Sequence, residues 1–354
     1  MFEQIESNIA ENERPGPAGV VVGSIVVMWA RFCHRGPFDG GVAGAGSDPG
    51  GPVPSVPMAA VLALDVGGTK LGAAVVADDG RVVAEGRRPT VATDADELFE
   101  LVTDLLAGAL DAAAERGVPR DDLRAVGVGC GGPMTAGGEE VSPLNIGVWR
   151  GFPLRRRLAE WSGLPTFVDN DAKALALGEG WVGAARGVSD YLAMVVSTGV
   201  GGGLVLDGRL LDGGAGNAGH IGHVIVDPLG RRCGCGATGC LEAQVSGTAI
   251  AATTGRPAAE ADPEMRIRVG RLVGRAVASV ANLLDLRLAV VAGSVALGFG
   301  GVFFDAANAE LDRCARLEFS RGARAVPSGC GAHGPLIGAA AVGWRGIGHD
   351  VGVR

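Results

Sequence analysis

One phrase occurs twice in this chain and constrains its fold more than any other feature. An apolar strand, a glycine-rich turn, a second apolar strand and an acidic turn ending in Gly follow one another in both copies. The first copy is AVLALDVGGTKLGAAVVADDG from Ala60, and the second is YLAMVVSTGVGGGLVLDG from Tyr191. Runs of apolar, β-branched residues joined by glycine turns are typical of β-hairpins. The repetition therefore predicts two related lobes, each built around such a hairpin.

Glycine turns of this kind suit phosphate binding. Without a Cβ, backbone N–H groups converge on phosphate oxygens, and an Asp at the mouth of the turn holds the water shell of a Mg²⁺ ion. A single DxGGT turn is more often only a hairpin turn, but two of them in duplicated lobes describe a two-lobed, actin-like ATPase (ribonuclease H-like) α/β fold that binds ATP. No GxxxxGK[ST] phosphate loop occurs. The candidate ATP and Mg²⁺ residues are Asp65, Gly67, Gly68, Thr69, Lys70, Ser197, Thr198, Gly199, Gly201, Gly202 and Gly203.

A metal site is predicted in the second lobe. The pattern H-x9-C-x-C-x4-C supplies one imidazole and three thiolates, a natural tetrahedral shell for a structural Zn²⁺. The four ligands are His223, Cys233, Cys235 and Cys240, and the glycines of CGCGATGC let the chain fold back around the ion. The remaining cysteines of the seven are scattered, and we expect them to be buried as small apolar side chains. These are Cys33, Cys130, Cys314 and Cys330.

A set of carboxylates supplies a candidate general base. Asp169, Asn170 and Asp171 follow a predicted strand and open a predicted helix. An Asp in this position can accept the proton of a substrate hydroxyl during phosphoryl transfer. The alternative is that Asp169 or Asn170 only caps the helix. Glu242, two residues after the last thiolate, is held by the metal loop and is a second candidate for the cleft.

The chain divides into a leader and two lobes. Residues 35–57 are rich in Gly and Pro without a period, and the apolar run at 19–30 is too short to span a membrane. We expect residues 1–57 to be a disordered leader or a misassigned start, with Met58 as the true start. The predicted lobes are residues 58–176, completed by a C-terminal helix at 335–354, and residues 177–334, which include the zinc loop 223–242. Helices are predicted from Asp94 to Arg116 and from Glu264 to Leu286, before a strand from Leu288 to Ala292.

Charge and cysteine content exclude some functions. With a net charge of −8 and a pI near 5.2, the chain is not one that wraps nucleic acid or coats an anionic membrane. Cysteines clustered for a metal fit a reducing compartment better than a secreted disulfide framework. We expect a cytoplasmic protein that forms a homodimer or homotetramer.

From Met58 onward the chain resembles the ROK family (repressors, open reading frames, kinases), most closely its bacterial glucokinases. The resemblance rests on DVGGTK, SPLN before GVW, DNDA with Glu179 downstream, STGVGGG, AGHIGH and CGCGATGCLE, in the family order and spacing. It implies that Asp171 is the base on the sugar 6-hydroxyl and that the two glycine turns hold the ATP phosphates. It also implies that His223 binds zinc with one ring nitrogen and a sugar hydroxyl with the other. The other implied sugar contacts are Asn145, Asn170 and Glu242, and Gly293 is placed near adenosine, although the usual Gly-Gly is here Gly293-Ser294.

One residue departs from the family pattern. Where the family has Glu in an ExGH phrase, this chain has His220, which we keep among the sugar-binding residues. A neutral imidazole offers one donor and one acceptor in place of the four acceptor sites of a carboxylate. Three consequences stay open at this point: a tolerated change with a raised KM, a different sugar, or a catalytically weak sensor.

The resemblance implies a kinase that uses ATP to form a hexose 6-phosphate, with glucose as the first expected substrate. An N-acylmannosamine or N-acetylglucosamine kinase would share every motif. A sugar-responsive repressor of the same family is the third alternative, but residues 1–57 are too rich in Gly and Pro for a helix-turn-helix.

Overall fold

The computed structural model describes residues 59–354. The predicted leader at 1–57 and the start at Met58 lie outside the described residues. Within them, no helix is both long enough and apolar enough to cross a bilayer.

The first lobe is built on a five-stranded mixed sheet. Its strand order is β3-β2-β1-β4-β5, with β1 antiparallel to β2 and parallel to β4. The register places Asp65 opposite Gly72 of β2 and Gly129 of β4. The strands are β1 (Ala60–Val66), β2 (Lys70–Ala77), β3 (Val82–Pro89), β4 (Leu123–Cys130) and β5 (Thr166–Asn170).

The second lobe repeats this topology. Its sheet has the order β10-β9-β6-β7-β8, in which β6 is antiparallel to β7 and parallel to β9. Read from the other edge, this is the order of the first sheet. The duplicated, two-lobed α/β fold predicted from the repeated phrase is therefore confirmed. The strands are β6 (Tyr191–Val196), β7 (Val200–Leu206), β8 (Arg209–Leu210), β9 (Leu288–Ala292) and β10 (Arg324–Pro327).

Polar side chains cap the N-terminal ends of some of the helices. The side chain of Asp94 caps α1 by accepting from the N–H groups of Asp96 and Glu97, as the sequence predicts. Asp262 caps α6, which therefore begins before Glu264, and Asp285 ends it in a left-handed conformation before the predicted end. The helices are α1 (Ala95–Ala114), α2 (Leu154–Ser162), α3 (Asp171–Trp181), α4 (Leu241–Val245), α5 (Gly247–Thr254), α6 (Pro263–Leu284), α7 (Ser294–Phe299), α8 (Gly301–Cys314) and α9 (Gly334–Gly346).

Helices α3 and α9 share one apolar core with residues of both sheets. Alternation along β1 sends Leu62 into the core that α1 covers and Val61 into the core shared with α3 and α9. The two helices cross where Gly338 lies against α3; a Cβ there would be 2.6 Å from the carbonyl oxygen of Ala174. The predicted lobe boundary at 176/177 falls inside α3, and the division into lobes at that point stays a prediction.

Candidate active site and metal centre

The first glycine turn joins β1 to β2 and is fastened at its carbonyls. The N–H of Gly67 donates to the carbonyl of Lys70 at 3.1 Å, and the hydroxyl of Thr90 donates to the carbonyl of Gly67 at 2.7 Å. A Cβ on Gly68 would lie 2.5 Å from the Cβ of Asn145, so only glycine fits there. The structure thus brings a predicted phosphate residue, Gly68, against a predicted sugar residue, Asn145.

The second glycine turn joins β6 to β7 and is fastened by α4 and α5. The N–H of Gly247 donates to the carbonyl of Ser197 at 2.7 Å, and the hydroxyl of Thr248 donates to the carbonyl of Thr198 at 3.0 Å. Glu242 accepts from the N–H of Val200 at 2.9 Å. One oxygen of Glu242, predicted to contact sugar, is therefore engaged by the turn. The position of Glu242 at the start of α4 is visible in the sequence, but its contact with Val200 is not.

Gly293 lies directly beside the second turn. It has a φ of +100°, and a Cβ there would be 2.3 Å from the carbonyl oxygen of Val196. The following Ser294, which stands where the family usually has Gly, shares a hydrogen bond of 2.9 Å between its hydroxyl and that of Ser197. Sequence reasoning noted Ser294 as a departure but did not predict this bond. Gly293, which the resemblance places near adenosine, thus lies beside the second glycine turn.

Asp171 is the first residue of α3, and the residue that caps this helix is its neighbour. The Asn170 side chain accepts from the N–H of Ala172 at 3.0 Å and caps the helix. Asp171 accepts from the same N–H at 2.8 Å, and part of its side chain is accessible to solvent. Removal of water by surrounding protein raises the pKa of Asp171, while the bond from Ala172 and the nearby His220 lower it.

Asp65 and Asp171 form a carboxylate pair. The Cα of Asp171 is 3.7 Å from where a Cβ on Gly129 would stand, and Gly129 pairs with Asp65 in the sheet. Burial, and then the negative charge of Asp171, raise the pKa of Asp65 to about 7, against the opposing effect of Lys70 and Arg87. Two carboxylates held this way form an oxygen-rich, negatively charged site, and oxygen donors are those Mg²⁺ prefers.

The four predicted zinc ligands come together. Their ligand atoms lie within 4.8 Å of one another. The sulfurs of Cys235 and Cys240 are 3.7 Å apart, and the sulfur of Cys233 is 3.7 Å from Nδ1 of His223. A tetrahedral zinc with Zn–S bonds near 2.3 Å separates two sulfurs by about 3.8 Å, so the donor set fits this ion. The fold-back depends on Gly239 (φ +84°), where a Cβ would be 1.8 Å from the carbonyl oxygen of Asp227.

His220 lies close to the zinc ligand His223. Their ring centroids are 6.1 Å apart, and both side chains are exposed. His220 also lowers the pKa of Asp171 electrostatically, so the position that departs from the family pattern lies near enough to act on the catalytic candidate. The sequence did not predict a role for Lys173, a buried lysine that forms ion pairs with Asp169 and Asp212. The available signal was that the chain has only two lysines.

Comparisons with known proteins agree with this geometry. The model of the ROK family matches residues 61–344. An N-acetylmannosamine kinase of Escherichia fergusonii is 39% identical over 260 residues, covering 68% of this chain and 84% of that protein. A ROK hexokinase of Thermus thermophilus has a TM-score of 0.70 at 33% identity, covering 81% of this chain and 99% of that one. A Streptomyces griseus ROK glucokinase, solved with glucose and AMPPNP, has a TM-score of 0.70 at 28% identity, covering 81% and 99%.

Proposed function

We propose a specific reaction for this chain, which belongs to the ROK family and is a sugar kinase. It transfers a phosphoryl group from ATP to the 6-hydroxyl of an N-acylated hexosamine of the N-acetylmannosamine type. The observation that carries the reaction is the pair Asp65 and Asp171, which lie on either side of Gly129 of β4. The acceptor of the reaction is an alcohol group, as in the kinases to which the chain is similar.

Asp171 is the proposed general base. Its carboxylate accepts the hydrogen of the sugar hydroxyl and takes that proton as the oxygen attacks phosphorus. The turn N–H groups hold the phosphates without blocking side chains, and Lys70 stands beside Asp65 to offset charge. When bound, Mg²⁺ would supply positive charge that offsets the charge of the phosphates, and Asp65 would hold its water shell. The same charge would lower the pKa of both carboxylates and keep Asp171 ionised for its task.

The zinc cluster has a positioning role in this account. The four ligands close a tetrahedral shell without an open position, which is typical of structural zinc. His223 directs Nδ1 toward the thiolates, so its Nε2 is left for a sugar hydroxyl. The zinc segment leads into α4, where Glu242 reaches the second turn. The chain thereby links the sugar side of the cleft to the phosphate side.

His220 and the relatives of this chain both support a preference for an acylated amino sugar. An acylamino group carries one N–H donor and one carbonyl acceptor, and a neutral imidazole offers one acceptor and one donor to match them. A carboxylate, by contrast, suits two adjacent hydroxyls. Relatives 36–39% identical to this chain are N-acetylmannosamine kinases. Together these support an N-acylmannosamine as the first candidate.

Glucose, expected first from the sequence, is the second candidate. It is favoured by the similarity to the Thermus hexokinase and to the Streptomyces glucokinase in complex with glucose. Retention of Asp171 argues against a regulator that only senses sugar. N-Acetylglucosamine, the cytoplasmic location and the homodimer or homotetramer stay predictions.

A coupled ADP-release assay over N-acetylmannosamine, N-acetylglucosamine, glucose and mannose tests the proposal, with Asp171→Asn as the inactive control. We expect kcat/KM to be highest for N-acetylmannosamine. A preference for glucose would select the second candidate. Binding of a sugar without any phosphorylation would overturn the kinase and favour a sensor.

A further inference from the structure

A buried lysine lies two residues after the proposed base. The side chain of Lys173 is only 5% exposed, and its Nζ is 3.1 Å from Oδ1 of Asp169 and 2.5 Å from Oδ1 of Asp212. Burial alone would lower the pKa of Lys173, but the two carboxylates outweigh it and hold the pKa above its ordinary value. The ammonium group is therefore charged, and it joins two segments that are distant in sequence.

The two carboxylates belong to different parts of the site. Asp169 is the second-to-last residue of β5 and precedes Lys173 by four residues, and the two side chains form an ion pair beside the start of α3. Asp171 lies between them in sequence and faces the cleft. Asp212 instead follows β8 in the second lobe. Lys173 thus ties the segment that carries the base to a segment of the other lobe.

Asp212 begins the loop that leads to His220. This 212–220 loop is closed at its base, because the N–H of Ala218 donates to the carbonyl of Asp212 at 2.9 Å. Its far end packs at Gly219, where a Cβ would be 2.2 Å from the carbonyl oxygen of Gly202. The loop is largely exposed between these points, so the ion pair at Asp212 fixes its beginning.

Lys173 is itself held firmly from behind. A Cβ on Gly203 of β7 would lie 2.9 Å from the Cα of Lys173. The lysine backbone therefore rests directly on the second sheet, which fixes the origin of the side chain. This gives Asp212 a fixed point of attachment rather than a mobile surface charge.

We propose that Lys173 is a positioning residue: through Asp212 it anchors the 212–220 loop to the start of α3 and so holds His220, at the end of that loop, in its place beside His223. The proposal rests on the proposed function, in which His220 lies on the sugar side and Asp171 is the base. The anchor acts on sugar binding, since the glycine turns are fastened by other contacts, at Thr90 and at Thr248.

The test uses the full chain with zinc bound and the variant Asp212→Ala. Asp212 is 59% exposed, so this variant removes the anchor without leaving a cavity. Lys173→Met is the second variant. It leaves the Asp169 carboxylate without its cation, so only the direction of its effect on the sugar KM is compared with that of Asp212→Ala. Asp305→Ala, which removes an exposed carboxylate on α8, is the matched control.

We expect Asp212→Ala to raise the sugar KM about tenfold, as for the loss of one charged hydrogen bond, with kcat within threefold and the ATP KM within twofold. Lys173→Met should change the sugar KM in the same direction, and the double variant should add little to the larger single effect. Hydrogen–deuterium exchange should rise in the 212–220 loop in both variants and stay unchanged in Asp305→Ala.

An unchanged sugar KM with unchanged exchange in Asp212→Ala would overturn the proposal. Equal rises in the sugar and ATP KM values would also overturn it, because they indicate a general structural loss. If the wild type phosphorylates no sugar, the proposed function fails, and exchange in the loop alone then decides whether Lys173 anchors it.

Discussion

At the scale of single residues, the site is defined by two carboxylates whose ionisation the surrounding protein opposes. Asp65 has a pKa raised to about 7 by burial and by Asp171, and the pKa of Asp171 is itself raised by loss of water. This arrangement lowers the stability of the folded protein when no cation is bound. Binding of Mg²⁺ and ATP should restore that stability. Residues that catalyse are often kept at the expense of stability in this way.

The cost predicts a pH-dependent effect of Asp65→Asn. The pKa of Asp65 is higher in the folded protein, at about 7, than its ordinary 3.8, so ionisation above pH 7 destabilises the fold. As pH falls from 7 toward 3.8, the folded protein binds the proton first and this penalty disappears. In Mg²⁺-free buffer, Asp65→Asn should raise Tm by a few degrees at pH 8 and by less at pH 5. A difference in Tm that is the same at both pH values would contradict the assignment.

Asp171→Asn should abolish transfer while leaving ATP binding intact. The amide keeps the shape of the side chain but does not accept the proton, and loss of a general base lowers the rate by about 10² to 10⁴. Turnover and ATP affinity, measured on the same preparation, check this. A variant that retains a tenth of wild-type kcat would show that Asp171 is not the base.

His220→Glu should shift sugar preference toward glucose. It restores an acceptor for two adjacent hydroxyls and removes the donor that we match to an acyl carbonyl. We expect the glucose KM to fall and the N-acetylmannosamine KM to rise, with kcat changed less. If both KM values are unaffected, His220 does not contact the sugar.

At the scale of elements, the sequence predicts those whose signal is local. The hairpins, the Asp94 cap and the metal segment follow from neighbouring residues, and the structure has them at the predicted places. Strand β10 is only four residues long and gives too short a pattern to recognise. The bond from Val200 to Glu242 joins elements 42 residues apart, and no local pattern encodes it. The ion pair of Lys173 with Asp212 was missed for the same reason.

The zinc segment is the element whose disruption should affect the largest part of the protein. Structural zinc contributes on the order of 10 kcal/mol to folding, and the segment leads directly into α4, which fastens the second turn through Glu242. Elemental analysis should find about one zinc per chain. Chelation should lower Tm and weaken binding of both sugar and ATP. Metal-free protein that stays folded and fully active would contradict a structural zinc.

At the scale of the whole molecule, the crossing of α3 and α9 is the common support of both lobes. The crossing needs glycine at Gly338, since a Cβ there would be 2.6 Å from the carbonyl oxygen of Ala174, and it is tight at Gly178, where a Cβ would be 3.1 Å from the Cα of Gly338. Because this core includes residues of both sheets, a change here moves the base relative to both glycine turns.

Gly338→Val should therefore destabilise the protein as a whole. The added side chain forces α9 away from α3, and overpacking of this kind costs about 1 to 3 kcal/mol or more. Chemical denaturation should show the loss in a single transition. Gly298→Ala, at a helical glycine with open space around it, is the control. Wild-type stability in Gly338→Val would show that the helices do not cross as closely as described.

We propose that the site of Asp65 and Asp171 is a hexose 6-kinase site suited to an N-acylmannosamine. The most direct test of this proposal is a competition in one tube: equimolar N-acetylmannosamine and glucose with limiting ATP and Mg²⁺, followed by mass spectrometry and ³¹P NMR of the products. The product ratio then reports the ratio of kcat/KM values. We expect N-acetylmannosamine 6-phosphate as the main product, with one ADP formed per sugar phosphate, and product formation lowered by about 10² or more with Asp171→Asn. Glucose 6-phosphate as the main product would contradict the sugar assignment, and ADP without any sugar phosphate would contradict the kinase.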